Sequence, residues 1–136
     1  MLWSVVALLL LVPLACSGGG KSTPTAAPFA FLSAKPLSPE MVSMGQQMFL
    51  EKGCGGCHTV DGLRGASGRM GPRLNGVATL GRDRLPGLNV EQYLRQSIEN
   101  PDSFVVPGYL ARMPDNMVAF NSKEYEAIIA YLLSLK

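Results

Sequence analysis

The chain contains 136 residues, of which 47% are hydrophobic and 16% are charged. This length predicts a single domain of ordinary size, and the charged fraction is below the quarter that is usual in soluble domains. All ten acidic residues lie after residue 39, together with ten of the twelve basic residues. The chain from residue 38 onward is therefore close to neutral. This argues against nucleic acid as a partner, because nucleic-acid-binding domains carry a basic excess.

Residues 1–15 have the pattern of an export signal, with an unbroken apolar run from Val5 to Val12. A membrane-spanning helix needs about 20 apolar residues, whereas a run of this length is typical of the apolar core of a signal peptide. The positive charge that usually begins a signal peptide is absent. We predict that residues 1–15 are a signal peptide, with a short uncleaved anchor as the alternative.

Cys16 lies four residues after the end of this run, in Pro13-Leu14-Ala15-Cys16. A small residue before a Cys at this place resembles the cleavage site of bacterial lipoproteins, although Pro13 stands where Leu is usual. The resemblance implies that Cys16 becomes a lipidated N-terminus, and two or more acyl chains hold a protein stably to a membrane. An ordinary cleaved signal is the alternative.

Residues 16–37 are rich in Gly, Ser, Thr, Ala and Pro, the composition of a flexible tether. As a flexible coil, this segment would average about 25 Å from end to end. Phe29, Phe31 and Leu32 are atypical of a free tether, so its second half is expected to lie against the domain. The folded domain is predicted to comprise residues 38–136.

The first predicted helix begins after Ser38, because Ser is a favourable N-cap, Pro39 suits the first helical position and Glu40 suits the helix dipole. It is predicted to end near Gly53. Residues 59–87 show no long periodic pattern, and we interpret them as loops with short helical turns. Seven glycines interrupt this stretch, at positions 62, 65, 68, 71, 76, 81 and 87.

Two further helices are predicted, each from a capping box. The first begins at Asn89, with Gln92 three residues later, and ends at Asn100 before a proline. The second begins at Asn121, with Glu124 three residues later. Because no stretch of useful length alternates apolar and polar residues, the fold class is predicted to be all-α.

The most informative motif is Cys54-Gly55-Gly56-Cys57-His58. Cys-x-x-Cys-His is the attachment site of c-type haem. Two thiols at this spacing reach the two vinyl groups of haem, and the imidazole that follows binds the iron. His58 is the only histidine in the chain, so no other imidazole is available. The motif predicts one covalently bound haem c.

Two other interpretations of the motif do not fit its sequence context. A thioredoxin-like redox site requires a strand–helix–strand context, and no such pattern surrounds residues 54–58. A zinc site requires a second pair of Cys or His ligands, and only Cys16 remains, beyond a linker. Haem attachment is the favoured interpretation.

With this motif, residues 38–136 resemble a class I cytochrome c over nearly their whole length. The resemblance implies that family's fold, about three main helices plus loops wrapped around one covalent haem. It also implies that Gly45 lets the first and last helices cross closely. The matching features are the Gly45–Phe49 pair, the haem motif, the loop from Gly71 to Gly76, Met113-Pro114, and Ala130-Tyr131-Leu132 in the last helix.

The resemblance also implies the axial ligands of the iron, His58 and Met113. Of the seven methionines, Met113 lies far enough beyond His58 to cross over the ring, and Pro114 stiffens its loop. Met117 is the alternative ligand. A thioether opposite an imidazole raises the reduction potential. The carbonyl of Pro72 is expected to accept a hydrogen bond from the other ring nitrogen of His58, a contact that orients the imidazole.

The stretch 61–85 carries a basic excess. One or two of its arginines, or Tyr93, are candidates to hold the haem propionates. The others would form either a docking patch for an acidic partner or ordinary solvated surface. These arginines are Arg64, Arg69, Arg73, Arg82 and Arg84.

The predicted function is one-electron transfer, without catalysis by the chain alone. We expect a membrane-tethered respiratory or photosynthetic carrier at the outer face of the bacterial cytoplasmic membrane, with membrane respiratory complexes as redox partners. The alternative is a fixed monohaem subunit of an oxidase or of a quinol-oxidising complex similar to alternative complex III. A haem peroxidase or gas sensor would need an open distal site, and Met113-Pro114 argues against one.

Overall fold

The computed structural model describes residues 37–110, 113–116, 119 and 122–136. All of these belong to one compact unit, Ser33–Lys136. The predicted signal peptide and the predicted lipidation site at Cys16 lie outside the described residues, as does the alternative ligand Met117.

The described residues form helices and loops, and the only β-type contact among them is an isolated bridge between Thr59 and Ser67. Three helices have ten residues or more, which confirms the prediction of an all-α fold with three main helices. None of the described helices is both long and apolar enough to cross a membrane. In chain order the helices are α1 (Pro39–Glu51), α2 (Cys54–Cys57), α3 (Val77–Leu80), α4 (Val90–Glu99) and α5 (Lys123–Ser134).

The N-termini of α1 and α4 form as their sequences predict. The Ser38 hydroxyl accepts a hydrogen bond from the backbone N–H of Met41 at 3.2 Å. At α4, the side chains of Asn89 and Gln92 each accept a hydrogen bond from the other residue's backbone N–H, both at 2.9 Å. These bonds satisfy donors that have no partner within the helix.

Helix α5 begins later than predicted. Its N-cap is Ser122, whose hydroxyl accepts a hydrogen bond from the backbone N–H of Tyr125 at 3.0 Å. The prediction of a capping box from Asn121 to Glu124 is therefore wrong by one residue. The physical reason is that the Ser122 hydroxyl is itself a favourable cap. Asn121 lies outside the described residues.

The crossing of α1 and α5 forms the centre of the fold. A Cβ atom at Gly45 would overlap the backbone of Ala127 and lie 2.7 Å from Cβ of Tyr131. Only glycine allows the two helices to approach this closely, as the sequence predicted. Next to the crossing, the rings of Phe49 and Tyr131 pack edge to face with their centroids 5.6 Å apart.

Helix α4 packs against α5, and the contact combines an apolar face with an ion pair. Tyr93, Leu94 and Ile98 are buried. Arg95 makes two hydrogen bonds to the Glu126 carboxylate of α5, at 2.8 and 2.7 Å. These bonds raise the pKa of Arg95 above its usual range. The bidentate geometry sets the position of α4 along α5.

Candidate functional site

A largely apolar cavity opens beside the helix crossing. It encloses about 830 Å³ of space free of protein atoms, including its open mouth. Its deeper wall consists of aromatic and aliphatic side chains from α1, α4 and α5, among them Phe49, Leu94, Ile98, Ile128 and Leu132.

The two cysteines of the attachment motif lie at the ends of α2. Gly53, which precedes this helix, has a φ of 79°, a conformation that favours glycine. Cys54 lines the cavity, and burial raises the pKa of its thiol. Cys57 is half-buried and is not among the described residues that line the cavity. The two cysteines form no disulfide with each other.

The imidazole of His58 also lines the cavity and is fixed by the neighbouring loop. Its Nδ1 lies 2.8 Å from the backbone carbonyl oxygen of Pro72. Because a carbonyl only accepts hydrogen bonds, Nδ1 carries the proton in this contact, and the lone pair is on Nε2. Burial lowers the pKa of His58, while the hydrogen bond to Pro72 acts in the opposite direction. A neutral imidazole held in one tautomer is the state in which histidine binds metals.

Gly71 explains how the loop approaches the imidazole so closely. A Cβ atom at this position would lie 2.5 Å from Cε1 of His58. The backbone N–H of Gly71 also donates to the carbonyl of Cys57 at 2.9 Å. The sequence showed a Gly-Pro pair here, but the reason for the glycine is visible only in the structure.

Further hydrogen bonds tie this loop to the attachment motif. The Thr59 hydroxyl donates to the carbonyl of Gly68 at 2.6 Å, and the N–H of Gly68 donates to the carbonyl of Gly55 at 3.1 Å. The N–H of Leu74 donates to the carbonyl of Thr59 at 2.9 Å. The position of His58 is therefore set by the protein backbone on several sides.

Met113 lines the same cavity as His58 and is half-buried. The imidazole of His58 and the thioether of Met113 therefore line the same cavity. Phe104 packs edge to face against Tyr93, with ring centroids 6.4 Å apart, and both side chains contribute to the cavity wall.

One of the five candidate arginines lines the cavity, and it is Arg84. Its Nη1 donates to the Tyr93 hydroxyl at 3.1 Å. Arg73 instead forms an ion pair with Asp61 at the surface. Arg84 and Tyr93 are both candidates from the sequence, but no local sequence signal distinguishes Arg84 from the neighbouring arginines.

The donor groups around the cavity fit a haem c. Within the described residues, no group of three or more Cys, His, Asp or Glu side chains could hold a metal ion. Haem supplies four nitrogens, and imidazole and thioether are known axial ligands. The cavity presents one of each, next to a Cys-x-x-Cys-His motif.

Comparison with known families agrees with this geometry. Residues 42–136 match the family model of cytochrome c, and the chain belongs to this family. No individual curated protein is similar enough to count as a match. Membership confirms the predicted fold and the predicted covalent haem c, and it supports haem-based electron transfer with redox partners.

Proposed function

We propose that this protein is a lipid-tethered one-electron carrier with His58 and Met113 as the axial ligands of a single haem c. The observation that carries the proposal is that both side chains line one cavity. The ring of His58 already uses Nδ1 for Pro72, which leaves Nε2 for the iron. With both axial positions filled by the protein, a substrate would find no open coordination site.

Different residues of the chain would attach the haem, ligate its iron and shield it from water. When bound, haem supplies an iron that gains and loses one electron. Cys54 and Cys57 would hold it covalently, and the Pro72 carbonyl keeps the imidazole oriented. The thioether of Met113 would favour the reduced state. The apolar wall built from Phe49, Ile128 and similar side chains limits the access of water. Like the thioether, this exclusion of water favours the reduced iron and raises the reduction potential.

The proposed location is the outer face of the bacterial cytoplasmic membrane, with residues 1–15 removed and Cys16 lipidated. Its support is the apolar run that ends at Cys16 and the tether composition of residues 16–37. A tether of about 25 Å would confine the domain to the membrane surface. Membrane respiratory complexes are therefore the proposed redox partners.

Carbon monoxide binding tests the ligation. The reduced wild-type protein should not bind carbon monoxide, because both axial positions are occupied. Met113→Ala should bind it and should have a lower reduction potential. Met70→Ala is the matched control, since Met70 is 57% exposed. Carbon monoxide binding to the wild type would favour a haem enzyme or sensor instead, and binding to Met117→Ala but not to Met113→Ala would move the ligand to Met117.

Mass spectrometry of the native N-terminus tests the tether. We expect acyl masses on Cys16, their loss in Cys16→Ser, and release of that variant from membranes. An intact Met1 would contradict lipidation. Purification from detergent-solubilised membranes then identifies the partners, and stable co-purification with a quinol-oxidising complex would indicate a fixed subunit rather than a free carrier.

A further inference from the structure

Three polar groups interlock at the surface of the loop that follows Pro72. The side-chain oxygen of Asn75 accepts a hydrogen bond from the backbone N–H of Asp61 at 2.9 Å and another from Nε of Arg73 at 3.3 Å. Both partners are donors, so the amide oxygen, with its two lone pairs, is the matching group. Arg73 also forms an ion pair with the Asp61 carboxylate. Each of the three residues contacts the other two, and we call them the Asp61 cluster.

The cluster completes a series of contacts between two segments of the chain. The first contact is that between Nδ1 of His58 and the Pro72 carbonyl, at 2.8 Å. The second is the hydrogen bond from the N–H of Leu74 to the carbonyl of Thr59, at 2.9 Å. The Asp61 cluster follows as the third. The contacts occur in the same order along both segments, so the cluster closes the end of the series that begins at the imidazole.

The Pro72 carbonyl depends on its neighbours for its orientation, because proline has no N–H with which to anchor its own peptide unit. On one side, the N–H of Gly71 donates to the Cys57 carbonyl at 2.9 Å. On the other side, the Asp61 cluster holds the side chain of Arg73, the next residue.

The exposure of the cluster indicates what kind of role it has. The side chains of Arg73 and Asp61 are 59% and 53% exposed. An ion pair this exposed contributes little to the stability of a fold. Its effect is therefore expected in the position of the loop that carries Pro72.

We propose that the Asp61 cluster keeps the Pro72 carbonyl against Nδ1 of His58 and thereby sets the reduction potential of the bound haem. This inference rests on the proposed function, in which His58 is an axial ligand of the iron. The members of the cluster are positioning residues, since none of them lines the cavity. A hydrogen bond from Nδ1 makes the imidazole a more basic ligand, which favours oxidised iron. Release of the Pro72 carbonyl should therefore raise the potential.

The sign of the change in potential separates positioning from charge. Loss of the positive charge of Arg73 would by itself stabilise oxidised iron and lower the potential, whereas loosening of the Pro72 carbonyl raises it. We expect a rise in Arg73→Gln. Lys52→Gln is the matched control, because it also removes one positive charge and one surface ion pair, that with Glu124 at 2.8 Å. Its potential should be at or below that of the wild type. Asn75→Ala changes no charge and should raise the potential.

Exchange of the Nδ1 proton of His58 with solvent is the direct readout. The full chain, matured with haem and labelled with nitrogen-15 at histidine, gives unambiguous ring signals because His58 is the only histidine. In the reduced state, we expect exchange about fivefold faster in Arg73→Gln and Asn75→Ala, the factor that corresponds to loss of about 1 kcal/mol. Lys52→Gln should match the wild type. Asn75→Asp keeps a side-chain oxygen as acceptor and should also exchange at the wild-type rate.

The outcomes separate this role from the proposed function. If the ring protons of His58 lack the paramagnetic shifts of an iron ligand in the oxidised wild type, both are overturned. If those shifts are present but the Nδ1 proton exchanges at one rate in all variants, the positioning role alone is overturned. A fall in potential in Arg73→Gln equal to that in Lys52→Gln would also overturn it, since charge would then explain the change. If Arg73→Gln fails to mature, Asn75→Ala decides through its exchange rate and potential.

Discussion

The two segments that contribute the proposed iron ligands are built differently. In the proximal segment, residues 53–76, backbone hydrogen bonds join positions far apart in the chain, such as Gly68 to Gly55 and Leu74 to Thr59. In the described part of the distal segment, residues 100–119, the backbone hydrogen bonds are local turns, such as Tyr109 to Val106 at 3.1 Å. Met113 lies in this second segment.

This difference indicates how the site is assembled. His58 is held in one orientation by its own loop through Pro72, so the protein backbone itself fixes the proximal ligand. The distal segment contributes through side-chain packing, with Phe104 against Tyr93 and Met113 on the cavity wall. Its geometry should therefore depend on the haem much more than the geometry of the proximal segment does.

The largest expected effect comes from preventing haem attachment. Cys57→Ser should abolish or greatly reduce the haem-stained band of the denatured protein. The apo domain should lose its cooperative unfolding transition, because a small domain with an unfilled apolar cavity is marginal, and a ligand bound only by the folded state stabilises that state. Circular dichroism during thermal unfolding measures this loss.

The proximal and distal segments should also differ from each other in the apo protein. In the apo protein, amide hydrogen exchange should be faster in the distal segment than in the proximal segment, since among the described residues long-range backbone hydrogen bonds occur in the proximal segment alone of the two. A cooperative apo domain with equal protection in both segments would contradict the proposed difference between them. An unchanged haem-stained band in Cys57→Ser would contradict the role of Cys57 in haem attachment.

The next largest effect is expected from Met113→Ala. Truncation of a methionine in an apolar wall costs about 2–5 kcal/mol of unfolding free energy, and loss of the bond from sulfur to iron adds to this cost. Guanidinium unfolding of the oxidised and reduced proteins provides the measurement. The loss should be larger in the reduced state, because a thioether favours reduced iron. Equal losses in the two states would indicate that Met113 is a packing residue only.

A smaller effect should follow from Gly71→Ala, which tests the proximal segment. The added Cβ would lie 2.5 Å from the ring of His58, so the ring or the loop must shift, at a cost of about 1–3 kcal/mol. Electron paramagnetic resonance of the oxidised protein should show an altered axial imidazole. Gly56→Ala is the matched control, because a Cβ there meets no atom within 4 Å. A normal signal and full stability in Gly71→Ala would show that the loop yields easily.

Local signals predicted much of this fold. The Ser38 cap and the box between Asn89 and Gln92 were correct because the atoms involved lie within one turn of each other. The haem motif was equally clear, since its spacing is set by the cofactor. The predicted start of α5 at Asn121 was wrong by one residue, because Asn and Ser are both favourable caps and the local sequence does not distinguish them.

Features that depend on distant parts of the chain could not be predicted in the same way. The approach of Gly71 to His58 and the choice of Arg84 over Arg82 both require knowledge of which backbone lies opposite. These two arginines differ little in sequence context, yet only Arg84 lines the cavity. Tertiary placement distinguishes them, and a single sequence does not encode it in a local pattern.

The smallest effect is expected where α4 leads into the distal segment. The buried hydroxyl of Tyr125 donates to Glu99 at 2.6 Å. Burial and the neighbouring Glu99 carboxylate raise the pKa of Tyr125 well above its usual range, so this hydroxyl keeps its proton. Thr59 makes a bond of the same length in the proximal segment, to the carbonyl of Gly68. Each bond contributes about 1–2 kcal/mol, the one to the Glu99 carboxylate more than the one to a neutral carbonyl.

Tyr125→Phe and Thr59→Val therefore delete comparable bonds in the two segments. Both variants should lose about 1–2 kcal/mol of unfolding free energy, Tyr125→Phe somewhat more than Thr59→Val. Only Tyr125→Phe loosens the residues from which the distal segment departs, so only this variant should bind cyanide faster in the oxidised state, by about fivefold for 1 kcal/mol. Stopped-flow spectroscopy measures this rate. Equal acceleration in both variants would mean that access to the iron is limited by opening of the whole domain, and the two segments would then not differ in the way their hydrogen bonds indicate.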